Sequence, residues 1–309
     1  MIISQTPLRV SFFGGGTDFP DFYNKYGGCV LSTAINKYVY VIVKDRFDNN
    51  IRVTYTKAEL VKNVNDVKHD IVRECLKYTK IEGGIEVITI GDVPAGTGLG
   101  SSSAVTVGLL KALHAYKGEE TNAKQLAEEA CHIEIDILKK PIGVQDQYAS
   151  AFGGFRFYEF TKKGVREFKI SPNDLPEHLL LLYTGITRES SSILKVQKKN
   201  VPKNTKILKQ MKELVSKAIG YWNFGELLGE SWGLKRQLAE DISNDKIEMW
   251  FAKASYAGAT GGKVLGAGGG GFLLLYCPDG TKENVRKALK LVELPFEFEP
   301  NGSKVMLNL

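Results

Sequence analysis

Metal-binding and redox signatures are missing from this sequence. Its four cysteines, at positions 29, 75, 131 and 277, form no CxxC pair, and its four histidines form no HxxxH or HxH. That excludes the usual zinc spacings and a disulfide framework, leaving four reduced thiols as the expectation. Long hydrophobic runs are missing too. The longest, such as LLLLY at 179–183, have the length of a strand, far short of the roughly 20 residues that cross a bilayer. The opening MIISQTPLRVSFF has neither the basic start nor the apolar core of a secretory signal, so a cytoplasmic protein without membrane association is expected. No internal repeat and no low-complexity tract interrupts the chain.

What is there looks like an ordinary globular protein. The 309 residues suffice for one large domain or two ordinary ones, and 43% apolar with 25% charged residues is an average composition. Formal net charge is +6, and much of the excess lies in residues 195–217, with eight lysines against one glutamate. Those lysines read as a solvated helical face. They are not interleaved with aromatics and no nucleic-acid-binding motif accompanies them, so no nucleic-acid partner is expected. A mild basic excess suits an enzyme that handles phosphates.

The hydrophobic pattern alternates between strand and helix. YVYVIVKD (38–45), IRVTYT (51–56) and GIEVITI (84–90) are rich in β-branched residues and predict strands, with a helix over 66–80 between the last two. Val105, Leu109, Leu110 and Leu113 share one face of a helix. A second helix is expected from a cap at Thr121 to about residue 139, stopped by Pro141. GGFRFYEF (153–160) returns as a strand, and GVREFKISPNDLPEH reads as a bridge. LLLLYTG is then a strand, helices fill 190–257, GGFLLLYCP is a strand, and EFEP and KVMLNL close the chain in extended form. The expected division is two α+β domains, 1–170 and 171–309.

Glycine marks the candidate site. PAGTGLGSSSA (94–104) lies between a strand and an amphipathic helix, where glycine lets a ligand approach the backbone and the helix start offers free N–H groups to an anion. The serines at 101–103 add hydroxyls for capping, phosphate or Mg²⁺. No GK[ST] follows, which excludes a Walker A loop, and Ser101 stands where a Rossmann fingerprint has its third glycine. Two more clusters occur, FFGGGTD (12–18) and KVLGAGGGGFLLLY (263–276). The last formally fits GxGxxG, but a strand rather than a helix follows it.

In this order and spacing, PLRVSFFGGGTD, PAGTGLGSSSA and KVLGAGGGGFLLL resemble the three motifs of the GHMP small-molecule kinases. The resemblance covers residue 4 to about 277. It implies an α+β, two-domain fold, with an N-terminal ribosomal-protein-like domain and a C-terminal ferredoxin-like domain around a cleft. It implies ATP and Mg²⁺ as cofactors, with the ATP phosphates held by Pro94, Gly96, Thr97, Gly98, Leu99, Gly100, Ser101, Ser102 and Ser103. Ser102 and Glu134 match the family's Mg²⁺ ligands, with Asp136 a rival for the carboxylate. Asp146 matches the catalytic base and Arg9 the cation beside it, whose guanidinium would offset the carboxylate and the developing alkoxide. Gly15, Gly16, Thr17 and Asp18 match the sugar-contacting end of the first motif. Gly154 and Gly269 complete the substrate-facing set.

The acceptor is narrowed by detail. Where galactokinases have Gly-Glu-His-Thr-Asp, residues 14–18 read GGGTD, which removes two side chains. GGGTDFPDFY, QDQYASAFGG and TGITRESSSILKVQ are together similar to the heptose 7-phosphate kinase branch, which phosphorylates an anomeric hydroxyl. A sugar phosphate as small-molecule partner needs a cationic handle, and Arg188 with Ser190 to Ser192 offers one, unless it is an ordinary capped helix. An L-fucose or other hexose 1-kinase stays open, as does a catalytically silent sugar- or nucleotide-binding regulator. A monomer or a homodimer is expected.

Overall fold

The computed structural model describes residues 1–187, 190–220 and 223–309. An eight-stranded sheet is built on two long strands, β1 (Ile2–Phe13) and β2 (Gly28–Asp45), which run antiparallel along most of their length. The second half of β2 pairs with β5 (Ile85–Gly91) and its first half with β6 (Phe155–Thr161). β3 (Ile51–Thr54) lies parallel to β5 and carries β4 (Ala58–Val61) on its outer side. β7 (Gly164–Lys169) forms a hairpin with β6. The first six residues of the stretch expected to be a bridge are therefore a strand; its alternation of Val165, Glu167 and Lys169 is too polar to register as one.

A four-stranded sheet in the order β11-β8-β10-β9 supports the second half of the chain. Its strands are β8 (Leu179–Tyr183), β9 (Gly261–Val264), β10 (Phe272–Tyr276) and β11 (Val292–Glu293). Leu179 and Leu181 of β8, with Phe272 and Leu274 of β10, join the core under the first sheet. Leu180 and Leu182, with Leu273 and Leu275, join a second core containing Trp232, Ile242 and Trp250. A sheet buried on both faces requires unbroken apolar runs, hence LLLLY and FLLLY. The two halves interlock: Phe224 packs edge-on against Phe12 and Phe13, at 5.5 and 5.1 Å, while Phe19 and Phe22 sit in the second core. The chain ends by returning, because β12 (Lys304–Asn308) pairs with β1.

The helices position the site. α1 (Pro20–Tyr26) follows the first glycine cluster, α2 (Asp70–Tyr78) precedes β5, and α3 (Ser101–Tyr116) starts at the second cluster. α4 (Ala123–Cys131) is capped by Asn122, whose side chain accepts from the Gln125 N–H at 2.9 Å, one residue beyond the expected Thr121. It runs on as a π-helical turn, His132–Ile137, before α5 (Gln145–Phe152). Then come α6 (Leu175–His178), α7 (Ser190–Asn200), α8 (Thr205–Ala218), α9 (Phe224–Lys235), α10 (Asp245–Tyr256) and α11 (Lys282–Leu289). Among the described residues no helix is long and apolar enough to cross a membrane.

Near the end of α3, His114 lies between two carboxylates, with Nδ1 2.6 Å from Glu119 and Nε2 2.8 Å from Glu129. Two carboxylate partners require both ring nitrogens to donate, so the geometry favours the imidazolium. Glu129, then Glu119, raises its pKa against the opposing effect of burial. A raised native pKa adds stability that is complete below the unfolded value of about 6.5 and is lost as pH rises through the native value. The melting-temperature gap between wild type and His114→Gln should be widest below that pH and close toward alkaline pH. A gap independent of pH would refute the charged bridge.

Candidate active site

Three elements meet at Arg9. It stands on β1 with its side chain 5% exposed, facing the first turn of α5. Its Nε and Nη2 donate to the two carboxylate oxygens of Asp146, both at 2.7 Å, and Nη1 donates to the Gly98 carbonyl. Its backbone N–H donates to the Leu99 carbonyl at 3.0 Å. A planar fork suits this two-point grip on a carboxylate, which fixes Asp146 against the glycine loop. The carboxylate stays 24% exposed, and each oxygen keeps a lone pair for another donor.

The glycine loop leads into α3 through Gly100, a left-handed N-cap with φ of 75°. The first helical bond runs from the Ala104 N–H to the Gly100 carbonyl at 3.0 Å. The N–H groups of Ser101, Ser102 and Ser103 thus precede the helix's own ladder, and all three residues line the cleft. The loop lies against the third glycine cluster. A Cβ on Gly98, whose φ is 88°, would stand 2.7 Å from the Leu265 carbonyl oxygen, and one on Gly266 would stand 2.5 Å from the Gly98 Cα. Two glycines here let two backbones touch.

Glu134 comes from the π-helical turn and is fully buried. Its Oε1 accepts from Ser102 Oγ at 3.1 Å and its Oε2 from Gln147 at 2.8 Å, while Lys140 Nζ lies 3.8 Å away. Burial pushes its pKa up, with Lys140 and the neighbouring hydroxyls and amide pulling the other way. Asp136, two residues on, is 66% exposed and pairs with His132, and so faces away. Among the described residues no group of three or more His, Cys, Asp or Glu stands ready for a metal. A magnesium ion asks for less: one carboxylate and one hydroxyl beside phosphate oxygens and waters, and Ser102 with Glu134 fits that demand.

On the other side of the cleft, Asp18 is buried. Its Oδ1 accepts from the Gly16 N–H at 2.8 Å and its Oδ2 from the Gln145 N–H at 3.3 Å. Burial drives its pKa up; the Gly16 N–H opposes and the Asp146 charge adds to the rise. Thr17 is occupied structurally: its hydroxyl lies 2.8 Å from both the Gly14 and Cys29 carbonyls, which share its one hydrogen, and accepts from the Cys29 N–H at 3.1 Å. Two groups the motifs do not announce also line the cleft, Ser11 and Gln145, which bond each other at 2.8 Å.

Two lysines were also unannounced. Lys235 and Lys263 are buried and line the cleft, and among the described residues both donate to backbone carbonyls alone: Lys235 to Val264 and Gly266, Lys263 to Phe12 at 2.7 Å. Burial, followed by the Arg9 charge, pushes the Lys235 ammonium down to about 7, against the pull of Asp146 and Asp18. Burial drives Lys263 well below the usual lysine range. One signal existed: Leu228, Ser231, Trp232 and Lys235 form a single buried stripe of α9, so helical spacing puts this lysine on an apolar face.

Of the residues the motifs nominate, Arg9, Asp146, Gly15, Gly16, Asp18, Gly96, Gly98, Gly100 and the three serines line one cleft of about 1020 Å³, open mouth included. Glu134 touches it through Ser102. Pro94, Thr97 and Leu99 shape the loop from behind: the Thr97 hydroxyl donates to the Pro94 carbonyl at 2.9 Å, and Leu99 is fully buried. Gly154 bonds through its N–H to the Glu299 carbonyl and Gly269 to the Ile242 carbonyl, and neither lines the cleft. Arg188 lies outside the described residues.

Comparison with known proteins identifies the family. Residues 59–154 match the family model of the GHMP kinases N terminal domain, and residues 211–292 that of the GHMP kinases C terminal. The chain is 33% identical to the D-glycero-alpha-D-manno-heptose 7-phosphate kinase of Campylobacter jejuni, across 98% of each protein. It superposes on a putative sugar kinase from Campylobacter jejuni with a TM-score of 0.75 and 32% identity, covering 98% of this chain and 97% of that one. A D-glycero-D-manno-heptose 1-phosphate kinase from Bacteriodes thetaiotaomicron gives a TM-score of 0.74 and 25% identity over all of both chains.

Proposed function

Because the chain belongs to the GHMP kinase family, we propose that it transfers the terminal phosphoryl group of ATP to the anomeric hydroxyl of a heptose 7-phosphate. The product is the 1,7-bisphosphate, a precursor of nucleotide-activated heptose for surface glycans, and the reaction belongs in the cytoplasm. The observation that carries the reading is the two-point Arg9–Asp146 pair, set beside the glycine loop at the start of α3. The heptose assignment is supported by the full-length identity to the Campylobacter enzyme.

Phosphoryl transfer asks a protein mainly for positioning and charge neutralisation. The N–H groups at the start of α3 bind phosphate oxygens, aided by the helix dipole. Ser102 and Glu134 would hold Mg²⁺, which would offset charge on the phosphates. Asp18 accepts from sugar hydroxyls, with Gly15 and Gly16 leaving them room. Asp146 takes the proton as the anomeric oxygen attacks the terminal phosphorus; the bond from that phosphorus to the bridging oxygen breaks, and ADP leaves. Arg9 keeps Asp146 in register and offsets its charge.

Two experiments test this. ADP release should occur with Mg-ATP and the 7-phosphorylated heptose, and should be weak with free heptose, mannose, mannose 6-phosphate or fucose. Preference for a free hexose or fucose would overturn the acceptor, and nucleotide binding without turnover of any sugar would identify a silent regulator. Second, Glu134→Gln should raise the Mg²⁺ concentration for half-maximal rate at least about tenfold, the usual scale for weakening a metal's surroundings. An unchanged Mg²⁺ titration would remove Glu134 from the metal site.

A further inference from the structure

Lys235 is a buried amine with no partner anion among the described residues. It lies at the end of α9 on a buried stripe, and among the described residues no carboxylate forms an ion pair with it. Its two acceptors, the Val264 and Gly266 carbonyls, are neutral. An ammonium has three donors, so the two carbonyls leave one; besides them Nζ has only the Trp232 ring, 6.0 Å away, among the described residues, and the residue lines the cleft. A buried charge left in this state is costly unless something anionic comes to it. The charged groups around it are Arg9 on β1, Lys263 on β9, Asp146 on α5 and Asp18 before α1. Two repel it and two attract it from beyond ion-pair distance.

Its anchorage says which anion. Lys235 holds the Gly266 carbonyl, and Gly266 lies against Gly98 of the phosphate loop. Asp146 lines the same cleft, tied by Arg9 to the Gly98 carbonyl of that loop. Lys235 therefore faces the same cleft as the loop assigned to the nucleotide phosphates and the base assigned to the acceptor. We propose that Lys235 is a further catalytic residue whose ammonium contacts the terminal phosphoryl group during its passage from nucleotide to acceptor. This rests on reading the cleft as the site of phosphoryl transfer. The lowered ammonium pKa agrees with an environment short of negative charge, which an incoming phosphate supplies.

The test compares two nucleotides without any sugar. Binding of Mg²⁺ with the non-hydrolysable analogue AMPPNP, and with ADP, is measured on wild type, Lys235→Met and Lys235→Gln. A lost charge-assisted contact should weaken AMPPNP by about tenfold or more, with ADP affinity nearly unchanged in at least one variant. Equal weakening of both nucleotides, or of neither, overturns the proposal and leaves Lys235 a brace for Gly266. The wild-type protein gives a second reading if both variants fail to fold. Acetylation of Lys235 by acetic anhydride, mapped by peptide mass, should be suppressed by AMPPNP far more than by ADP; equal protection overturns the proposal. Selective AMPPNP binding through Lys235 in a protein that phosphorylates no sugar would sink the acceptor reading alone, so the two failures are distinguishable.

Discussion

Asp146→Asn should lower kcat by about 10³-fold, within the 10²–10⁴ range for loss of a positioned base. Asparagine keeps the shape of the side chain and loses the ability to take a proton. It also presents an NH₂ group where Arg9 now offers a donor to each carboxylate oxygen at 2.7 Å. One of the two bonds becomes a donor–donor contact, so a fall in melting temperature should accompany the loss of rate. Nucleotide affinity should change far less, because the glycine loop keeps its Arg9 bond to Gly98. Steady-state rates and nucleotide titrations on one preparation separate these effects. Turnover within a few fold of wild type would mean that another group accepts the proton.

Gly98→Ala should cost at least about tenfold in ATP affinity, and several degrees of melting temperature if the clash costs about 2 kcal/mol. Two penalties combine at this position. A left-handed φ of 88° disfavours any Cβ, and the new methyl group would stand 2.7 Å from the Leu265 carbonyl oxygen and 2.9 Å from its carbon. Those are backbone atoms, so relief requires the phosphate loop and the third glycine cluster to move apart. Gly118→Ala is the control. Its φ of 76° is comparable, yet nothing lies within 4 Å of the new carbon, so it should pay only the conformational cost of about 1 kcal/mol and leave ATP binding unchanged. Equal effects from the two substitutions would show that strain alone, and not the contact between loops, matters at Gly98.

Much of the cleft was legible because close backbone approach leaves glycine in the sequence. The runs at 12–18, 94–104 and 263–276 point to places where chains or ligands meet, and Gly98 and Gly266 do meet. Strands buried on both faces were legible for a similar reason, since LLLLY has no other ready use. Asp146 and Arg9, both nominated by resemblance, form an ion pair. Long-range pairing was not legible. KVMLNL reads as extended, but nothing local says that it returns to the edge of β1. Nor does spacing announce the π-helical turn that buries Glu134 and exposes Asp136. Lys235 was hidden because a lysine is normally assigned to solvent before its position on the helix is checked.

The central claim is that the anomeric oxygen attacks, with its proton passing to Asp146. Phosphorus NMR of the product formed from Mg-ATP and the heptose 7-phosphate tests it most directly. The account predicts a second phosphate signal coupled to the anomeric proton, absent with Asp146→Asn over the same time. A new phosphate coupled to any other sugar proton, or ADP formed without a new sugar phosphate, would contradict it.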